Sequence, residues 1–142
     1  MEVRAKKALG QHFLTDQSIA KAIVAALEPA EGGSTDVLEI GPGMGVLSQY
    51  LLQREDIDLK MIEIDTESVE YLQKHFPDAA DKVIYGDFLK LDIDHLFSGS
   101  FNVIGNFPYN ISSQIFFRIL DYKDRIPQTV CMIQKEVAER IA

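Results

Sequence analysis

Near the start of the chain, Ile19, Ala20, Ile23, Val24 and Leu27 recur at helical spacing, with Thr15 or Asp16 placed to cap the helix and Pro29 placed to end it. Beyond them, five short apolar runs of β character occupy residues 36–40, 59–64, 82–85, 101–105 and 129–134. The gaps carry helical patterns over 46–53, 67–75 and 113–120, and a further helix begins near Lys135. Strands alternating with helices predict a parallel sheet covered on both faces, since right-handed crossovers must travel over the sheet. No repeat, linker or low-complexity tract interrupts this pattern. The closing residues QKEVAERIA are helical and lack a stop signal, so the sequence reads as cut in mid-element.

Composition narrows the function more than the fold. A length of 142 residues with 46% hydrophobic and 25% charged positions suits one soluble domain. No apolar run approaches the roughly 18 to 20 residues of a membrane span, and no apolar stretch follows the basic opening, so a cytoplasmic protein without a membrane partner is expected. The single Cys131 stands in an apolar run and reads as a buried, inert thiol; alone, it allows neither an intramolecular disulfide nor a cysteine zinc cluster, and no metal site is expected.

Charge pulls in two directions. A net charge of -8 disfavours nucleic-acid binding, because phosphate contacts need Lys and Arg. Yet residues 54–94 hold twelve Asp and Glu against five Lys and Arg, whereas the first thirteen residues carry Arg4, Lys6 and Lys7 against Glu2. The excess of acid is therefore local. The basic arm is a candidate RNA contact or simply a solvated tail.

The first strand ends in Glu39-Ile40-Gly41-Pro42-Gly43-Met44-Gly45 and runs into a helical pattern. Glycines at such a turn, notably Gly41 and Gly43, let the backbone approach a ligand. Dinucleotide enzymes use a similar turn, but Val46 occupies the place of their third glycine, which disfavours that class. About 20 residues on, Glu63 closes the second strand where an acid can accept both ribose hydroxyls of an adenosine cofactor. Asp65 is placed either to join it or to cap the next helix. Asp87 closes the third strand and can accept from an adenine amine, with Ile64 and Phe88 completing the candidate cofactor set. Singly, each acid also fits a turn or cap.

The stretch Gly105-Asn106-Phe107-Pro108-Tyr109-Asn110-Ile111-Ser112, following the fourth strand, suggests the chemistry. An aromatic exocyclic amine is a poor nucleophile because its lone pair is delocalised into the ring. Two acceptors aimed at its N–H groups, Asn106 Oδ1 and a main-chain carbonyl such as that of Phe107, would favour a more tetrahedral nitrogen. Pro108 fixes its own φ and biases Phe107 to an extended conformation. Tyr109 can stack on an extruded base, worth roughly 1 to 3 kcal/mol. In isolation the same residues fit a strand-to-helix turn.

With Lys7-Ala8-Leu9-Gly10-Gln11-His12-Phe13-Leu14 at one end and Gln134-Lys135-Glu136-Val137-Ala138 at the other, these motifs resemble, in order and spacing, those of the rRNA adenine N6,N6-dimethyltransferases, particularly the bacterial small-subunit branch. The resemblance spans the chain. It implies a Rossmann-like class I fold that uses S-adenosylmethionine, with a sheet ordered 3-2-1-4-5 over the strands present. The family also has a seven-stranded sheet and a helical C-terminal domain supplying much of the rRNA-binding surface, here absent. Cofactor contacts carry over to His12, Leu14, Gly41, Glu63, Asp87 and Asn106, and a base contact to Tyr109. His12 stands where Asn is common, and Phe107 where Leu is. The implied partner is the small ribosomal subunit and its rRNA. The longer parent is expected to be monomeric, and the fragment to self-associate through the exposed edge of its fifth strand.

Two rival readings remain at this level. One is a DNA adenine or protein glutamine methyltransferase, against which the Lys-x-Leu-Gly-Gln-His-Phe-Leu opening argues. The other is a ribosome-assembly or RNA-binding module without turnover, which intact Asn106 and Tyr109 disfavour.

Overall fold

The chain is described in a computed structural model over residues 17–28, 35–107 and 109–133. Its elements run α1 (Gln17–Ala26), β1 (Thr35–Ile40), α2 (Ser48–Leu51), β2 (Ile57–Glu63), α3 (Thr66–His75), β3 (Val83–Tyr85), α4 (Ile93–Leu96), β4 (Asn102–Phe107), α5 (Tyr109–Asp121) and β5 (Thr129–Ile133). Short 3-10 turns cover Pro77–Lys82 and Phe88–Lys90. The strands form one sheet, ordered β3-β2-β1-β4-β5, with every neighbouring pair parallel, as expected. The basic arm, Pro29 and the helix expected near Lys135 lie outside the described residues.

Strand β1 lies at the centre and is buried on both faces, the pattern a parallel strand needs under helices on either side. Side-chain alternation divides the core. Val37, Met61 and Ile104 pack with Ala20 and Val24 of α1 and Leu51 of α2. On the opposite face, Leu38, Ile40 and Phe107 pack with Phe88 and with Ile115 and Ile119 of α5.

The end of α1 is tied down from two directions. Arg54 Nη1 donates to the carbonyls of Val24 and Leu27, both at 2.8 Å, satisfying acceptors that the helix leaves open. The same guanidinium pairs with Asp56 through two hydrogen bonds, which hold the Asp56 carboxyl below its usual range. The Gln128 side chain then brackets the main chain of Glu28, accepting from its N–H at 3.0 Å and donating to its carbonyl at 2.8 Å.

Several boundaries differ from those read from the pattern. Regular helix α2 is confined to Ser48–Leu51 because Gly45, at φ +81°, lies outside helical space and delays its start. Helix α5 begins four residues before the expected 113, because Ile111 belongs to the stripe that Ile115 and Ile119 bury on the sheet. Strand β4 continues past Gly105, because Asn106 and Phe107 stay in register with Met132 and Ile133 of β5. Asn106 and Phe107 therefore belong to the strand, not to the turn after it.

Strand β5 is an outer strand of the sheet, and all five of its residues are half-buried. Cys131 is accordingly less enclosed than expected, although burial still pushes its thiol pKa upward.

Candidate cofactor and reaction site

All strands of a parallel sheet end on the same side, so the residues that close them meet along one edge. At this edge the β1 turn is laced to β2. Gly41 N donates to the Ile62 carbonyl at 2.9 Å, and Gly45 N donates to the Pro42 carbonyl at 2.9 Å. Gly41 has φ +68°, which an L side chain rarely adopts, and a Cβ built there meets nothing within 4 Å. Glycine is thus required by the backbone and leaves open space for a ligand. Gly45 is constrained differently: a Cβ would come within 2.6 Å of the Phe76 ring.

Glu63 is the hub of the edge. It is 5% exposed, yet its carboxylate accepts from Gly43 N at 2.9 Å through Oε1 and from Asp65 N at 3.0 Å through Oε2. Its carbonyl accepts from Gly86 N at 3.0 Å, drawing in the end of β3. One residue therefore fixes the ends of three strands. Ile64 beside it is 62% exposed, an apolar surface at the rim. Asp65 caps α3, accepting from Ser68 N at 2.8 Å, so the capping alternative holds for this acid.

Asp87 Oδ1 accepts from Leu89 N at 3.0 Å, capping the following 3-10 turn. Phe88 is 4% exposed and packs in the core with the Arg118 guanidinium over its ring, so only its main chain faces the edge. Asn106 lies one residue short of the end of β4. Parallel register and alternation place its side chain on the same face as Glu39 and Glu63, the face covered by α1, α2 and α3. The Phe107 ring turns to the other face, fully buried and edge-on to Phe116 at 5.7 Å, so only its main chain is left at the edge.

Tyr109 opens α5 directly after this strand end. Its side chain, Pro108, His12, Leu14, Arg4, Lys6 and Lys7 lie outside the described residues. Among the described residues, no group of His, Cys, Asp and Glu is arranged to hold a metal ion, and no helix is long and apolar enough to cross a membrane.

Sequence reasoning passed over Glu39. Its side chain is 1% exposed, and Ser48 Oγ donates to its Oε1 at 2.5 Å, joining β1 to the start of α2. Burial chiefly, and the Glu63 charge to a lesser degree, raise its pKa to about 8 against the opposing effect of the Ser48 hydrogen bond. The signal was present: Glu39 is the one charged side chain among the four closing residues of a buried strand.

A parallel 3-2-1-4-5 sheet with a glycine turn after β1 and a hub acid at the end of β2 defines a Rossmann-like domain of the methyltransferase type. The family described as Ribosomal RNA adenine dimethylase matches residues 2–142, and the chain belongs to it. It is 57% identical over 141 residues to Ribosomal RNA small subunit methyltransferase A of Cytophaga hutchinsonii, covering 99% of this chain and 54% of that protein. To the protein of the same description from Parabacteroides distasonis it is 59% identical over 140 residues, covering 99% and 52%. The chain thus spans about half the length of these curated relatives. Among solved structures it is similar to the 23S rRNA methyltransferase ErmE, with TM-score 0.59 and 27% identity over 75% of this chain and 41% of that one. An RNA methyltransferase from Salinibacter ruber, solved with S-adenosyl-L-homocysteine, shares the fold at TM-score 0.58 and 18% identity, over 75% of this chain and 69% of that one.

Proposed function

We propose that the protein carrying this segment methylates the N6 amines of adenosines in small-subunit rRNA, using S-adenosylmethionine and giving N6,N6-dimethyladenosine. The carrying observation is that an acid suited to a ribose and an amide suited to an aromatic amine share one face of the sheet at its carboxyl edge. Family membership favours this reading over DNA or protein methylation. Its substrate would place the protein in the cytoplasm.

The cofactor fits the residues present. Glu63 is oriented by two main-chain N–H groups, and each of its oxygens keeps a further lone pair for a ribose hydroxyl. Gly41 leaves room for close approach, Ile64 covers an adenine face, and the second oxygen of Asp87 accepts from the adenine amine. By the family resemblance, His12 and Leu14 are also assigned contacts to the cofactor. The bound cofactor supplies an electrophilic methyl group on a sulfonium sulfur.

Asn106 Oδ1 and the Phe107 carbonyl accept from the two N–H groups of the target amine, withdrawing its lone pair from conjugation. Tyr109 stacks on the extruded base, and Arg4, Lys6 and Lys7 hold rRNA phosphates. The methylated amine loses its extra proton to water, so no general base is required. Unmethylated small subunits should accept radiolabelled methyl groups from S-adenosylmethionine when mixed with the full-length protein. Cofactor binding without any transfer to the subunit would overturn the substrate assignment.

Glu63→Ala should weaken cofactor binding by about 1 to 3 kcal/mol, which is roughly 5- to 150-fold. Titration calorimetry giving the wild-type affinity would remove Glu63 from the ribose site.

The 142-residue segment by itself should self-associate through β5. The outer edge of this strand offers Val130, Cys131, Met132 and Ile133 in succession, with no charge or proline to block pairing. Light scattering after size-exclusion chromatography should give at least a dimer at high concentration. A strictly monomeric segment would show the edge to be harmless.

A further inference from the structure

We propose that Glu39 is a proton-carrying positioning residue, which holds its carboxyl proton in the free protein and releases it when the cationic cofactor occupies the neighbouring edge of the sheet. The inference rests on the cofactor assignment made above and concerns a residue to which that assignment gives no part.

Two acids on one face of the sheet cannot both be charged cheaply unless each has its own donors. Glu63 has the main-chain N–H groups of Gly43 and Asp65. Glu39 has the Ser48 hydroxyl and almost no solvent. The negative charge therefore belongs on Glu63 and the proton on Glu39. The pKa near 8 agrees with this partition. Among the described residues, Ser48 of α2 bonds to Glu39, and Met61 of β2 and Ile104 of β4 stand beside it in register, none of them charged. Among the described residues, Glu63 on β2 is the charged group that acts on it.

S-adenosylmethionine brings a sulfonium and an ammonium. A positive charge near this edge favours the carboxylate form of Glu39. Ser48 Oγ donates to that form, so the link from β1 to α2, and with it the glycine turn between them, tightens as the proton leaves. Cofactor affinity should then rise with pH.

The test uses the full-length protein, titrated with S-adenosylmethionine in buffers of different ionisation enthalpy. Near pH 7 the wild type should release about one proton per cofactor more than Glu39→Gln does, and its affinity should rise about tenfold per pH unit up to about pH 8. Glu39→Gln should lose this component; exchange that persists in it belongs to other groups. Ser48→Ala, lacking the donor that favours ionisation, should move the profile to higher pH, which loss of packing alone would not do.

A cofactor-free measurement separates the two readings. Because Glu39 has a folded-state pKa above its ordinary value of 4.5, its contribution to stability is complete below that value and lost as pH rises towards 8. Glu39→Gln should accordingly gain about 5 °C in melting temperature relative to wild type between pH 5 and 8. Binding with proton release and pH dependence identical in wild type and Glu39→Gln would overturn the inference and leave the cofactor site standing. Absence of any cofactor binding would overturn both.

Discussion

Asn106→Ala in the full-length protein is expected to lower kcat by about 100-fold or more at saturating cofactor, while binding of the small subunit changes little. Asn106 is held by the pairing of β4 with β5, in register with Met132, so its amide is carried on a strand instead of a mobile loop. Alanine keeps this pairing and removes the acceptor proposed for the reacting amine. Because Asn106 is also assigned a cofactor contact, the rate has to be read where cofactor no longer limits it. Single-turnover methylation of unmethylated subunits provides that reading, and a near-normal rate would sink the proposed role.

Gly105→Ala should be equally severe for a different reason. Gly105 pairs with Ile40 on one side and Cys131 on the other, in an interior strand. A Cβ there would lie 2.6 Å from the Ile40 carbonyl oxygen and 2.7 Å from Cε1 of the Phe107 ring. The first contact is backbone, which cannot swing aside as a side chain would. Strands β1 and β4 must separate, or the Phe107 ring must leave its core position. A loss of about 3 kcal/mol is expected, read as a lower midpoint in urea at unchanged slope. An unchanged midpoint would mean that the sheet yields at this point without cost.

The order of elements, the parallel sheet and the acids at the strand ends were legible because each rests on local pattern: apolar runs, helical stripes and a glycine turn; the strand order followed from the family resemblance alone. What was not legible depends on partners distant in sequence. Asn106 reads as the start of a turn because it is polar and lies two residues before a proline, yet pairing with β5 keeps it in the strand. The sequence offers no sign that the Phe107 ring packs beneath the sheet edge against Phe116 while its main chain stays in the last position of β4. Gly105 and Glu39 were visible as anomalies, a glycine inside one strand and an acid inside another. Their reasons, a carbonyl on the neighbouring strand and a serine on the next helix, appear only after folding.

The two fastenings at the end of α1 differ in when they can form. Arg54 lies 27 and 30 residues from the carbonyls it caps, so it can engage once the first strands have met. Gln128 lies 100 residues from Glu28 and waits for the chain to deliver β5. During synthesis from the N-terminus, α1 emerges among the first elements but is locked among the last, when that long loop closes. Until then, among the described residues, Arg54 is the one side chain that fastens the end of α1.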